Sequence, residues 1–156
     1  MIKNKFIICS VLSFFLVACS LSNPLKKEAK VTNKDCPQSL ILYEARSLDL
    51  GNANIELQNE YALNCYLFVD ENKVEISTDY KINVLLSEEE KNTYEVELII
   101  FVTNINEDNK IAEFQYFKDL KLDREGYKWH SFDLNDKFQI DLDTYDKGIK
   151  IFYAIN

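Results

Sequence analysis

The side chains best suited to acid–base or nucleophilic chemistry are few in this sequence of 156 residues. The one histidine is His130, and a serine nucleophile would need that imidazole as its base. With three glycines, the chain has no G-x-S-x-G turn, P-loop or dinucleotide fingerprint. We therefore expect no catalytic residues and no cofactor, and we interpret His130 as a surface or partly buried residue of a strand.

Carboxylates are abundant, and five aspartates gather shortly before a glycine near the end of the chain. An EF-hand loop needs oxygen ligands at its first, third and fifth positions and glycine at its sixth. Counting from Asp141 puts Tyr145 at the fifth position and Asp146 at the sixth, so the match fails. We predict solvated loop acids and no metal, with a calcium site of another type built from the acidic loops as the alternative. The five residues are Asp133, Asp136, Asp141, Asp143 and Asp146.

A segment with the layout of a signal peptide stands at the start of this sequence, before the predicted strands and loops that would position these residues. Lys3 and Lys5 give it a positive start, and residues 6–17 are apolar except for two serines. A stretch of about a dozen residues is shorter than the roughly 20 that a membrane-spanning helix needs. We predict that residues 1–18 are a signal peptide, with a permanent transmembrane span as the weaker alternative.

The signal segment ends in Leu16-Val17-Ala18-Cys19, which resembles the bacterial lipobox. The resemblance implies that the Cys19 thiol receives a diacylglycerol, that the chain is cut before it, and that its new amine is acylated. Ser20 in place of aspartate implies the inner leaflet of the outer membrane. Two or more acyl chains hold a protein stably on a bilayer, so a membrane is an expected partner. An ordinary secreted protein without the lipid is the alternative.

Two cysteines remain once Cys9 has left with the signal and Cys19 carries the lipid. They are Cys36 and Cys65, and an exported chain usually pairs such residues. Closing this loop would remove unfolded-state entropy worth about 3.5 kcal/mol. We predict a disulfide between them. Two free thiols or a shared metal are the alternatives, although these cysteines and His130 fall short of four zinc ligands.

Charge is divided unevenly along the chain. The formal charge is -8 overall, but residues 36–156 carry 12 basic and 24 acidic side chains, whereas residues 20–35 have a small basic excess. An acidic domain is repelled by phosphates, which disfavours a nucleic-acid partner. Residues 19–35 contain four lysines and little apolar content. We predict that they form the lipidated cysteine and a flexible tether.

Alternating apolar residues indicate that residues 36–156 form a single β domain. Even positions from Val74 to Leu86 are apolar or aromatic except for one threonine, which is typical of a half-buried strand. The pattern resumes at Tyr94, where Ile99 and Phe101 add apolar residues on the second face. We expect that part of the strand to be covered on both sides.

Further strands are predicted at residues 39–48, 54–68 in one or two pieces, 110–117, 127–134, 138–142 and 148–155. A hairpin turn is expected at residues 104–109, and residues 87–93 could form one helical turn. About seven strands predict an all-β fold, an antiparallel two-sheet sandwich of the immunoglobulin-like or fibronectin-like kind. A small barrel is the second choice.

The body of the chain is also similar to uncharacterised lipoproteins of alphaproteobacteria. The matching stretches are Cys36-Pro37, Asn64-Cys65 and Phe101-Val102-Thr103-Asn104, followed by a polar turn. Lysine and asparagine stand where that family would have arginine, proline and glycine. The likeness implies a fold and a compartment but no activity. We therefore expect a noncatalytic interaction or structural lipoprotein that binds another envelope protein, with a small-ligand or calcium-binding lipoprotein as the alternative.

Overall fold

The computed structural model describes residues 30–87, 93–106, 109–122 and 126–156, with the side chains of 59–61 excepted. These residues contain nine strands. The signal segment and Cys19 lie outside these residues, as do five of the seven residues that could form a helical turn. The strands are β1 (Val31–Lys34), β2 (Gln38–Ile41), β3 (Ser47–Asp49), β4 (Ala53–Phe68), β5 (Lys73–Leu86), β6 (Thr93–Asn104), β7 (Lys110–Lys121), β8 (Trp129–Asp141) and β9 (Ile149–Ile155), with one short helix, α1 (Leu142–Asp146).

Two sheets pack face to face, which confirms the predicted all-β sandwich. Sheet A has the order β1-β4-β5-β8, and β3 pairs with the other half of the β4 edge. Sheet B has the order β2-β9-β6-β7, in which β2 and β9 run parallel. The count is nine described strands rather than seven. Each sheet contains one hairpin of consecutive strands, β4–β5 in sheet A and β6–β7 in sheet B.

The core lies between the sheets and follows the alternation read from the sequence. In β5 every even position from Val74 to Leu86 is buried, and in β6 every even position from Tyr94 to Val102 is buried. Register places Ile55 opposite Val84 and Ile100 opposite Tyr153, so inward side chains of neighbouring strands stack against each other. Each fully buried aliphatic side chain contributes about 1.5–3 kcal/mol, which makes this alternation the main source of stability.

An irregularity interrupts β4 without reversing its faces. Leu57 pairs with Ile82 and Tyr61 pairs with Tyr80, so β4 advances four residues while β5 advances two. An insertion of one residue would turn the following side chains to the opposite face. Because β4 has two extra residues at this irregularity, Leu57 before it and Cys65 after it both remain on the buried face.

Three predicted boundaries are wrong. Residues 31–34 are not flexible tether but strand β1, which pairs with β4 through the backbone. The predicted strand at 39–48 is divided into β2 and β3 by a 3-10 turn at Tyr43–Ala45. The two strands predicted at 127–134 and 138–142 are one continuous strand, β8, and part of the acidic loop that follows is helix α1. None of the helices in the described ranges is long and apolar enough to cross a membrane.

Candidate functional site

His130 lies on the buried face of β8, opposite Val84 of β5, with 5% of its surface exposed. This corrects the interpretation of a surface or partly buried residue. The Nε2 atom donates a hydrogen bond to the Tyr127 carbonyl oxygen at 2.9 Å. Ser131 follows it on an alternating strand and therefore points to the other face, away from the imidazole. The geometry gives His130 a packing role at the end of β8.

The five aspartates do not converge. Asp133 and Asp136 lie on opposite faces of β8, because they are three residues apart in a strand. Asp141 ends that strand, and Asp143 and Asp146 belong to α1, where Asp146 forms an ion pair with Lys34 at 2.5 Å. Among the described residues, no group of three or more histidine, cysteine or acidic side chains is close enough to hold a metal ion.

Asp136 is the centre of a polar cluster inside the sandwich. It accepts a hydrogen bond from the Tyr80 hydroxyl and forms an ion pair with Lys118 of β7 at 2.6 Å. Burial, and then the hydrogen bond to the carboxylate, raise the pKa of Tyr80 well above its usual range, so the phenol stays protonated. Beside them Tyr153 donates to the Thr78 hydroxyl at 3.0 Å. The cluster joins sheet A to sheet B.

Further contacts close the same side of the sandwich, where the edge strands β7 and β8 meet. The rings of Phe114 and Phe138 have centroids 4.7 Å apart. The Tyr116 hydroxyl donates to the Lys137 carbonyl oxygen at 2.8 Å. This bond occupies a backbone acceptor of an edge strand, which would otherwise be open to another chain.

The opposite side, where β1 and β2 lie, is closed covalently. Cys36 and Cys65 form the predicted disulfide, with their Cα atoms 5.4 Å apart. The Tyr145 hydroxyl of α1 donates to the Asp35 carbonyl oxygen next to it. Burial, followed by the nearby acids Asp35 and Asp146, raises the pKa of Tyr145 to about 12. The bridge and this bond hold the β1–β2 connection against the sandwich.

A cleft of about 550 Å³ lies on the outer face of sheet A. Its polar side chains already bind one another: Asn135 donates to Asp79 at 2.6 Å, and Lys81 lies 3.6 Å from Asp133. A ligand would have to displace these contacts, and the cleft is broadly open to solvent. It is therefore a weak candidate for a binding site.

Apolar side chains cover the middle of the outer face of sheet B. Phe101, Phe152 and Leu40 stand side by side on β6, β9 and β2, because they pair in register. Ile99 and Ala154 form the next row, in which Ala154 is only 4% exposed. Phe117 of β7 is 67% exposed and pairs with Glu97, one row further along the strands. The core packs on the other side of these strands, so this group faces away from the sandwich. We call Leu40, Ile99, Phe101, Phe117, Phe152 and Ala154 the apolar face.

No family model, no curated protein and no solved structure matches this chain.

Sequence reasoning identified part of the apolar face but not its position. This part of β6 was expected to be covered on both sides, and its residues Ile99 and Phe101 are partly exposed on the outer side of sheet B. Phe117 and Leu40 carry no such signal, because isolated apolar residues on edge strands are common on protein surfaces. Only the pairing of β2, β9, β6 and β7 brings these side chains together.

Proposed function

We propose that this protein is a lipoprotein of the bacterial cell envelope, anchored through Cys19, whose sandwich acts as a noncatalytic module that binds another protein. The observation that carries the binding role is the apolar face, in which Phe117 is 67% and Leu40 is 41% exposed. Contiguous apolar surface of this kind is characteristic of sites of protein contact. The polar clusters of the domain, by contrast, have their hydrogen-bonding groups occupied within the fold.

The anchor is supported by the lipobox and by the disulfide. Disulfides form and persist in exported proteins and are rare in the reducing cytosol, so the Cys36–Cys65 bridge agrees with a signal peptide. Ser20 favours the inner leaflet of the outer membrane as the destination. The net acidity of residues 36–156 repels anionic head groups and would keep the domain off the bilayer surface.

Two measurements test the proposal in cells. Labelling with a clickable fatty acid should tag the wild type, and Cys19→Ala should lose both the tag and retention in the membrane fraction. A photo-crosslinking residue at position 117 should capture a protein partner, whereas the same residue at Trp129, a 54% exposed aromatic on the outer face of sheet A, should not. An untagged wild type contradicts the anchor, and equal capture at both positions contradicts the binding face.

A further inference from the structure

Three carboxylates surround the exposed aromatic ring at one end of the apolar face. Phe117 is 67% exposed on β7 and pairs with Glu97 of β6. Asp119 is the next outward residue of β7, and Glu95 pairs with it across the strands. Side chains in such positions have Cβ atoms about 5–8 Å apart, so a basic side chain over the ring is within reach of all three carboxylates. We call Glu95, Glu97 and Asp119 the acidic end of the face.

The acidic end has no ion pair within the ranges that the structure describes. The ion pairs found there join none of its three acids to a lysine or arginine. Glu97 accepts a hydrogen bond from the neutral Asn156 side-chain amide at 3.1 Å. Glu95 and Asp119 carry like charges in directly opposed positions, which destabilises a sheet. Lys121 stands one row beyond Asp119, and three acids with this one lysine give a net charge of -2.

The opposite end of the face contains the same kind of pair with a cation in place. Phe101 of β6 pairs with Glu113 of β7. Lys110 forms an ion pair with Glu113, and its ammonium lies 5.7 Å from the centroid of the Phe101 ring. An aromatic ring and a neighbouring carboxylate thus hold one lysine of the same chain. Phe117 and Glu97 form an equivalent cross-strand pair, for which the described part of the chain supplies no lysine or arginine.

We propose that the protein partner of the apolar face is a segment that places a lysine or arginine over Phe117 and apolar side chains beside Phe101 and Phe152. This inference rests on the proposed function and adds the chemistry of the partner. The row of Phe101 lies two rows, or about 13 Å, from the row of Phe117. An extended segment spans this distance in about four residues, which sets the spacing between its basic and apolar residues.

Charge disfavours the other occupants of this face. A second copy would bring another acidic body, because residues 36–156 carry 12 basic and 24 acidic side chains. The anionic surface of a bilayer is repelled by the acidic end for the same reason. A basic segment is attracted instead, and this attraction favours encounter and weakens as salt is added.

Two synthetic peptides serve as probes, each with leucine and phenylalanine at alternate positions. One begins with two arginines, and the other has glutamates in their place. Fluorescence anisotropy measures their binding to the purified full-length protein, held in phosphatidylcholine nanodiscs if it carries the lipid. The arginine peptide should bind about tenfold more tightly at low salt, and the difference should shrink at high salt. Equal affinity of the two peptides, or binding of neither, overturns the proposal.

Exchange of charges tests the acidic end directly. Glu95→Lys combined with Asp119→Lys should reverse the preference, so that the glutamate peptide binds more tightly. Both residues are exposed, and the exchange keeps like charges opposite each other. As a matched control, Asp133→Lys combined with Asp141→Lys makes the same change of net charge on the outer face of sheet A and should leave the preference as it is. An equal effect of the two combinations contradicts the proposal.

The ring is tested by Phe117→Leu, which keeps an apolar side chain at this position. It should weaken binding of the arginine peptide about threefold and leave the glutamate peptide unaffected, because the attraction of a cation to the ring is lost. An equal change for both peptides would show that the ring contributes apolar surface alone, and the cation would then not lie over it.

Crosslinking in cells separates this inference from the proposed function. A photo-crosslinking residue at Gln115 lies between the rows of Phe101 and Phe117 and leaves both rings in place. The captured sequence should contain a lysine or arginine and apolar residues within about four positions of one another. Capture of a partner without a basic residue there overturns this inference and leaves the proposed function in place. Capture of a second copy of this chain also overturns it, and no capture at Gln115 or Phe117 contradicts the proposed function itself.

Discussion

Replacing Lys118 by methionine should destabilise the domain strongly, because it leaves a buried carboxylate without its cation. The Lys118 and Asp136 side chains are 19% and 8% exposed and lie 2.6 Å apart. Removing one partner of a buried ion pair costs about 3 kcal/mol. For a domain of this size, Tm falls by about 4 °C for each kcal/mol lost from the free energy of unfolding, so Tm should fall by roughly 12 °C. Thermal and urea unfolding followed by circular dichroism, with the disulfide intact, measure the change.

A matched control and a rescue test the cause. Lys137→Met removes a lysine that is 58% exposed and lies 3.4 Å from Glu75. Loss of such a surface ion pair should lower the free energy of unfolding by less than about 0.5 kcal/mol. Combining Lys118→Met with Asp136→Leu and Tyr80→Phe removes the whole polar cluster. Stability should then return to within about 1 kcal/mol of the wild type, since no buried polar group is left without a partner. If Lys118→Met shifts Tm no more than Lys137→Met does, the reasoning is refuted.

Three other outcomes follow from the fold. Replacing both Cys36 and Cys65 by alanine should lower the free energy of unfolding by about 3.5 kcal/mol in urea titrations, and an unchanged midpoint would contradict it. Folding raises the pKa of Tyr145 to about 12, above its usual value of 10. The Tyr145 hydroxyl therefore contributes fully to the stability of the fold below pH 10, and this contribution is lost as the pH rises towards 12. Tyr145→Phe should make alkaline unfolding less steep in that window, and an unchanged slope would count against the shift. The Lys30 carbonyl oxygen accepts a hydrogen bond from the Val69 amide. The backbone amides of alternate residues in β1 therefore point towards β4, and the Thr32 amide points towards Leu67. Thr32→Pro should therefore raise amide exchange in this part of β4, whereas Asn33→Pro, on the solvent side, should change it less.

The sandwich could be predicted because alternation is a local property of the sequence. The even residues of β5 and β6 are apolar and are buried, as the pattern indicates. β8 was divided because Asp136 occupies an inward position where an apolar residue is expected. Its charge is balanced by Lys118 and Tyr80, which are 18 and 56 residues away, and no local pattern shows this.

The beginning of the domain was missed for a related reason. β1 has the sequence VTNK, with one apolar residue, and all four residues are at least partly exposed. Its place depends on backbone pairing with β4 and on the nearby disulfide, neither of which leaves an amphipathic pattern. The apolar face was likewise visible only in part, because its members come from four strands that are adjacent in space and not in sequence.

The disulfide next to β1 gives the domain a mechanical limit. A pull on the N-terminal side of the chain would first peel β1, whose residues 31–34 pair with the end of β4 and whose Lys34 forms the ion pair with Asp146. Peeling would free the chain as far as Cys36, about 20 Å of extended backbone. The load would then pass through the sulfur–sulfur bond to Cys65, inside sheet A and next to the fourteen-residue strand β5. Under tension the protein would thus lengthen by a fixed amount and then resist, with its core intact and its outer faces unchanged.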